Sequence, residues 1–244
     1  METYVALLQT YSGRDKIIRT TAYTCVLLTG ASKGKMAKTL ATIAKNIGAA
    51  RTVLRLFDDL PMWTLTRKFG STDSDLISRV CSALGNIAIQ FYYPFEKIAW
   101  AADQEILPVA SQKWWDLGIV SWAVYLVFFI IRGFRQICIL RSKRFQVVKR
   151  RKLESPEKSG AKDEEYRTKI HELASEEMGL YLDVVKNCAD LVMAVNWLPA
   201  GYLWAGKLSP ARNAAFGTLS SFIGLYVLWK DMSKKLRNQK AKTV

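Results

Sequence analysis

The chain has 244 residues, half of them hydrophobic, and a formal net charge of +15. That excess of Lys and Arg excludes an acidic or neutral surface and implies an anionic partner, for which phospholipid and nucleic acid both qualify. Plentiful Trp and Tyr beside uncharged runs favour lipid, because those residues populate bilayer interfaces, and the scarcity of Pro and Gly predicts one all-helical unit rather than two independent domains.

Residues 2–12 and 14–29 read as helices with Gly13 at their junction, and 30–34 as a break, with Ser32 placed to cap the next helix. The first residues, Met1-Glu2-Thr3-Tyr4, do not read as a secretory signal, and the last four do not form a Ser-Lys-Leu peroxisome-matrix address.

From Lys16 to Phe57 there are eight basic residues and no acidic one. Within 35–57, Met36, Leu40, Ile43, Ile47, Ala50, Leu54 and Phe57 recur at four- and three-residue steps and fall within roughly 60° of Ile43 on a helical wheel. Lys38 and Lys45 point the opposite way, and Lys35 and Arg51 flank the stripe. An anionic membrane surface suits this helix: Met36, Leu40, Ile43, Ile47, Leu54 and Phe57 enter the acyl boundary while Lys35, Lys38, Lys45, Arg51 and Arg55 reach the headgroups. A helix packed on a protein core has the same pattern, so periodicity leaves both readings open.

The basic helix ends near Asp58-Asp59, a pair suited to capping because adjacent helical residues do not face each other. Pro61 then fits the first turn of a short aromatic segment through Trp63. Residues 70–75 read as a polar loop, and a further helix from Asp75 to about Tyr93 is uncharged from Val80 onward except for the polar Asn86 and Gln90. It lies in the membrane interface or in a core.

The strongest apolar run is 117–131, preceded by Trp114-Trp115. Fifteen residues give only about 22 Å, so a span must continue to Leu140 with Arg132 and Arg135 snorkelling. A second uncharged run, 213–229, carries small residues at Ala214, Ala215, Gly217, Ser220, Ser221 and Gly224 that let helices approach closely. Between the runs, 141–152 holds seven basic and no acidic residues, followed by a mixed-charge stretch that reads as a mobile linker. A helix over 171–196 stops at Trp197-Leu198-Pro199. The resulting division is an N-terminal helical region (1–112), a first membrane segment (113–140), a charged linker (141–170), a hairpin-like segment (171–212), a second membrane segment (213–229) and a basic tail (230–244). Two spans place the linker and the tail on opposite sides, although both are basic, and the positive-inside tendency cannot satisfy both.

Catalytic chemistry is not legible. Gly30 to Met36 imitates a phosphate loop, but its glycine spacing is one residue short and Met36 stands where a hydroxyl is needed. His171 is the only histidine and lies far from any cysteine cluster, and Cys25, Cys81, Cys138 and Cys188 are scattered without metal spacing, so no metal, cofactor or enzymatic activity is expected.

Four blocks carry a resemblance: Tyr11 to Arg19 with Gly13, Arg14, Asp15 and Lys16; Arg51 to Leu60 with Asp58 and Asp59; Tyr92 to Asp103 with Tyr93, Pro94 and Trp100; and Asn196 to Gly206 with Trp197, Pro199 and Trp204. In this order they resemble the peroxisomal membrane protein 11 family, the last two blocks looking most like its gamma branch. The resemblance implies an all-α integral protein of the peroxisomal membrane with amphipathic interfacial helices, about two transmembrane helices and cytosolic termini. Its implied role is non-enzymatic: protrusion, elongation and division of peroxisomes. The implied partners are anionic phospholipid, the protein itself and sister isoforms, a fission adaptor that recruits a dynamin-related GTPase, and the membrane-protein import receptor, with no nucleic acid. An alternative is a metabolite pore lined, after assembly of several copies, by Arg132, Arg135, Asn86 and Gln90.

Overall fold

The computed structural model describes residues 1–58, 62–64, 75–154 and 160–243. Among the described residues there are seven helices of eight residues or more and no strand: α1 (Glu2–Gln9), α2 (Tyr11–Thr29), α3 (Gly34–Arg55), α4 (Leu76–Asp103), α5 (Ser111–Glu154), α6 (Gly160–Asn196) and α7 (Pro210–Thr243). Asp59, Pro61 and most of the polar loop expected before Asp75 lie outside the described residues.

Local chemistry sets the boundaries, sometimes differently from the sequence reading. The α1–α2 corner is at Thr10, not Gly13: Thr10 has extended backbone angles, and its Oγ1 accepts a hydrogen bond from the Gly13 amide at 3.1 Å. Gly13 is instead inside α2, where a Cβ would lie 2.0 Å from the Leu7 carbonyl oxygen, so the corner closes only around a residue without a side chain. At the start of α3 the capping position is Lys33 rather than Ser32, with no side-chain cap, and Gly34 enters the helix at φ 60°. Asp75 does cap α4, accepting from the Ser78 amide at 3.1 Å.

Four helices run further than expected, α7 among them, since it continues past Trp229 through the basic tail to Thr243. α4 continues through Pro94 to Asp103 because α5 packs along both sides of the proline: Phe95 meets Trp114 with ring centroids 5.8 Å apart, and Tyr92 and Phe95 lie over Gly118. α5 extends to Glu154 and α6 starts at Gly160, so the region expected to be a charged linker is helical at 141–154 and again from 160 onward. Ion pairs such as Arg151–Asp163 at 2.7 Å stabilise these extensions by joining them to each other.

The order of packed neighbours is α4, α5, α6, α7, α2, α3, with α1 against α2 and α7. Leu7, Leu126, Met193, Ala99 and Ala194 are fully buried, but so are Ser78, Ser82, Glu96 and Ser220. Apart from the exposed Ala215, the small-residue stripe of α7 is consumed inside the molecule: a Cβ on Gly217 would lie 2.7 Å from the Tyr23 ring, and Gly224 sits against Lys16. It is a helix–helix contact, made to α2 of the same chain.

Apolar faces remain on the outside. Ile77, Val80, Leu84, Ile87 and Phe91 form one on α4; Val120, Val124, Val127, Ile131 and Phe134 form one on α5; Leu219, Phe222, Tyr226 and Trp229 form one on α7. Among the described residues α5 alone is long and apolar enough to cross a membrane, and only 17 % of its apolar window is buried. α7, expected as a second span, falls short because Asn213, Thr218, Ser220 and Ser221 dilute an uncharged run of seventeen residues.

Candidate membrane-insertion site

α3 carries its side chains in three directions. Ala44 is its one described buried residue, and Leu40, Ile47, Gly48, Arg51 and Arg55 lie around it, half-buried, on the face turned to α2. To one side of that face Met36 is 61 % exposed, and Ile43, Leu54 and Phe57 are also exposed. Lys35, Lys38 and Lys45 are exposed on the remaining surface. The stripe read from the sequence is therefore split along its length: Leu40 and Ile47 turn partly toward protein, and Met36, Ile43, Leu54 and Phe57 turn toward solvent.

The two arginines assigned to lipid headgroups point inward. Arg51 Nε donates to Asp15 Oδ1 of α2 at 2.7 Å, with both side chains about four-fifths buried. Arg55 is paired with Glu96 of α4, whose side chain is 2 % exposed, and the Arg55 guanidinium lies 5.8 Å from the centroid of the Tyr92 ring. The Tyr92 hydroxyl donates to the same Glu96 oxygen at 2.7 Å. Burial pushes the Glu96 carboxyl above the ordinary carboxylate range, and the Arg55 charge and the Tyr92 hydrogen bond pull it back toward the ionised form. Just beyond α3, the Tyr11 hydroxyl donates to Asp58 Oδ2 at 3.2 Å; burial and that carboxylate push the phenol up to about 12, so it keeps its proton and remains a donor.

These contacts clasp the C-terminal third of α3 to α2 and α4. A second buried set joins α2 to α6 and α7: Arg19 pairs with Asp190 at 2.6 Å and donates to Ser220 Oγ at 3.1 Å. The sequence reading missed Glu96, Arg19 and Asp190, although a signal existed. Glu96 is the lone acid between Asp75 and Asp103, and Asp190 the lone acid between Asp183 and Asp231; a solitary carboxylate in a largely apolar stretch is a candidate for a buried pair.

Other expected positions are dispersed. Arg135 clamps Asp75 at 2.8 Å, Arg132 lies over the Phe129 ring, Asn86 is buried and Gln90 is half-buried. Among the described residues no group of three or more His, Cys, Asp or Glu is placed to hold a metal ion.

The model of the family Peroxisomal biogenesis factor 11 matches residues 1–229. The chain belongs to this family. It is 35 % identical over 227 residues to Peroxisomal membrane protein 11C of Homo sapiens, an alignment covering 90 % of each chain, and 34 % identical over 224 residues to the protein of the same name from Mus musculus, covering 88 % of this chain and 89 % of that one. Identity to Peroxisomal membrane protein 11A of Homo sapiens is 23 % over 258 residues, covering 97 % of this chain and all of the other. No solved structure matches the chain. Membership makes it a peroxisomal membrane protein of a biogenesis family, named for a biogenesis factor rather than an enzyme.

The blocks that resemble the Peroxisomal biogenesis factor 11 family have a physical arrangement in this member. Tyr11 and Asp15 of the first, Arg51, Arg55 and Asp58 of the second, and Tyr92 and Glu96 of the third are the partners in the clasp around α3; Tyr93 is buried beside it, Arg14 and Pro94 are exposed, Lys16 lies toward α7, and Trp100 is half-buried. The fourth block turns the chain from α6 to α7. Trp204 Nε1 donates to the Val192 carbonyl at 2.9 Å, Asn196 Oδ1 accepts from the Leu208 amide at 2.9 Å, Trp197 packs on Trp122 with centroids 6.1 Å apart, and Pro199 is exposed.

Proposed function

We propose that this protein shapes the peroxisomal membrane without catalysis, promoting protrusion, elongation and division by inserting α3 into one leaflet while several copies cluster. The observation that carries this reading is the edge of α3: Met36, Ile43, Leu54 and Phe57 exposed, with Lys35 on its flank and Lys38 and Lys45 exposed on the far side of the helix. In water such an edge is unfavourable; at a headgroup boundary each large side chain adds on the order of 1–2 kcal/mol and each lysine on the order of 1 kcal/mol. Several kcal/mol per helix binds locally but bends a bilayer only in many copies, so self-association belongs to the mechanism. The outward apolar faces of α4, α5 and α7 support a chain embedded beside that helix, and the proposal takes it as a multi-pass protein with cytosolic termini.

The clasp gives the wedge a handle. Arg51 and Arg55 tie one end of α3 to the bundle, so a force exerted by lipid on the apolar edge is transmitted to α2 and α4. The same proposal takes in pairing with sister isoforms, a fission adaptor that recruits a dynamin-related GTPase, and the import receptor for membrane proteins. The test is tubulation of anionic liposomes by the full-length protein. Ile43→Glu with Leu54→Glu, both at exposed positions, is expected to abolish tubules while the protein remains folded by circular dichroism; unchanged tubulation rejects the wedge.

A further inference from the structure

In the block from Tyr11 to Arg19, Gly13 closes the corner and Asp15 holds Arg51, which leaves Lys16 without a task. Its stem lies along α7, with Nζ 3.6 Å from where a Cβ on Gly224 would stand. The packing of α2 on α7 runs in register to that point: Gly30 meets Ala211, Tyr23 meets Gly217, Arg19 meets Ser220 and Lys16 meets Gly224. These two helices are therefore antiparallel. α6 also packs on α7, antiparallel across the turn at 197–209, so α2 and α6 run in the same direction.

Two layers result, one helical turn or about 5 Å apart. In the upper one Arg19 of α2, Asp190 of α6 and Ser220 of α7 meet, and the carboxylate neutralises the guanidinium at 2.6 Å. One turn toward the starts of α2 and α6, the corresponding positions are Lys16, Lys186 and Gly224. Here two cations stand over a bare stretch of backbone. The carboxylates in reach are engaged elsewhere: Asp15 by Arg51 at 2.7 Å, Asp190 by Arg19, and Asp183, half exposed, by Lys186 at 3.1 Å. Among the described residues Lys16 makes no ion pair of its own. Burial, and then the charges of Lys186 and Arg19, hold its ammonium below the ordinary lysine range, and the attraction of Asp15 is weaker than either repulsion. Arg19 Nε, in the layer above, is buried without a hydrogen-bond partner.

We propose that Lys16 and Lys186, over Gly224, form a binding site for a phosphate group, free or carried on a lipid, which completes the lower layer as Asp190 completes the upper one. Two ammonium groups, each with three donors, match the several acceptor oxygens of a phosphate, and lysine serves such a group as a point charge. Gly224 belongs to the same arrangement, because a side chain at that position would press on the Lys16 amine. A half-buried amine between packed helices favours a small anion over a protein carboxylate, which would bring its backbone with it. This site is separate from the exposed edge of α3, and its success or failure leaves the wedge untouched.

The test is thermal unfolding of the full-length protein in an uncharged maltoside detergent. Inorganic phosphate at about 10 mM should raise the melting temperature by about 3 °C over sodium chloride of equal ionic strength, because a ligand that binds only the folded state stabilises it. Dihexanoyl phosphatidic acid identifies the source: half-saturation at least about tenfold below that of inorganic phosphate assigns the site to lipid, and equal half-saturation assigns it to the free anion. Lys16→Met keeps the stem on Gly224 and removes the charge, so it should melt no lower than the unmodified chain without phosphate and lose the phosphate shift. A purely structural lysine would give the reverse. Lys186→Gln, at a half-exposed position, should raise the half-saturating concentration about tenfold and decides the matter if Lys16→Met does not fold. Lys235→Met, in the exposed tail, should keep the full shift. The site is overturned if both phosphate compounds act no more strongly than sodium chloride, if Lys16→Met or Lys186→Gln keeps the unmodified response, or if Lys235→Met loses it equally.

Discussion

The two ends of α3 carry the same charge and put it to opposite uses. Lys35, Lys38 and Lys45 near its start stand in solvent, whereas Arg51 and Arg55 near its end are drawn inward to Asp15 and Glu96. Arginine suits the inward role because its planar guanidinium is weakly hydrated and bonds several partners at once, as Arg55 does with Glu96 beneath the Tyr92 ring. Lysine suits the outer role, its flexible stem lying along apolar surface with the ammonium in a wet layer. A helix that looks uniformly basic thus divides into an anchor and a solvent-exposed arm.

The sharpest way to break that division is to remove one partner of the anchor. Glu96→Ala leaves Arg55 buried without its counterion and is expected to cost about 3–5 kcal/mol in denaturant unfolding of the detergent-solubilised protein. Lys38→Ala, on the arm, is expected to stay within about 0.5 kcal/mol. Equal effects would erase the distinction. A smaller loss is expected where α7 meets α2, since Gly217→Leu forces Tyr23 aside; overpacking of this kind costs about 1–3 kcal/mol and lowers the melting temperature.

Acid should loosen the capped start of α4 only below the ordinary carboxylate range. Its bond to Arg135 and the Ser78 amide hold the Asp75 carboxyl down at about 2. A depressed carboxyl contributes stability that is complete above its unfolded value of about 4 and disappears as pH falls through the folded value. Melting temperature should therefore drop between pH 4 and about 2, and Asp75→Asn should lack that part of the drop. The smallest effect belongs to Lys240 and Glu2, both about two-thirds exposed: Lys240→Ala should leave the melting temperature unchanged, because solvent screens such pairs.

Much of this was legible residue by residue. The alternation of four- and three-residue steps placed α3, the Trp-Leu-Pro turn placed the end of α6, and Asp75 announced the start of α4, because caps and periodicity are local. The corner at Thr10 was missed because its cause is the approach of the Leu7 carbonyl to Gly13, a contact between two helices. Proline at position 94 suggested an end that packing against α5 overrode, and the charged stretch after Leu140 suggested a linker where ion pairs between α5 and α6 sustain two helices. The lone acids Glu96 and Asp190 were visible as anomalies, but their partners lie 41 and 171 residues away.

The sequence by itself determined the helical class, the family, and the presence of a basic amphipathic segment beside long apolar ones, since composition and period act within a few turns of chain. Only the tertiary structure decided which cations stand in solvent and which face a carboxylate, and at which end of the bundle the two basic runs emerge. Those outcomes depend on pairing across distant helices, and neither the hydrophobic period nor the sign of a charge encodes its partner.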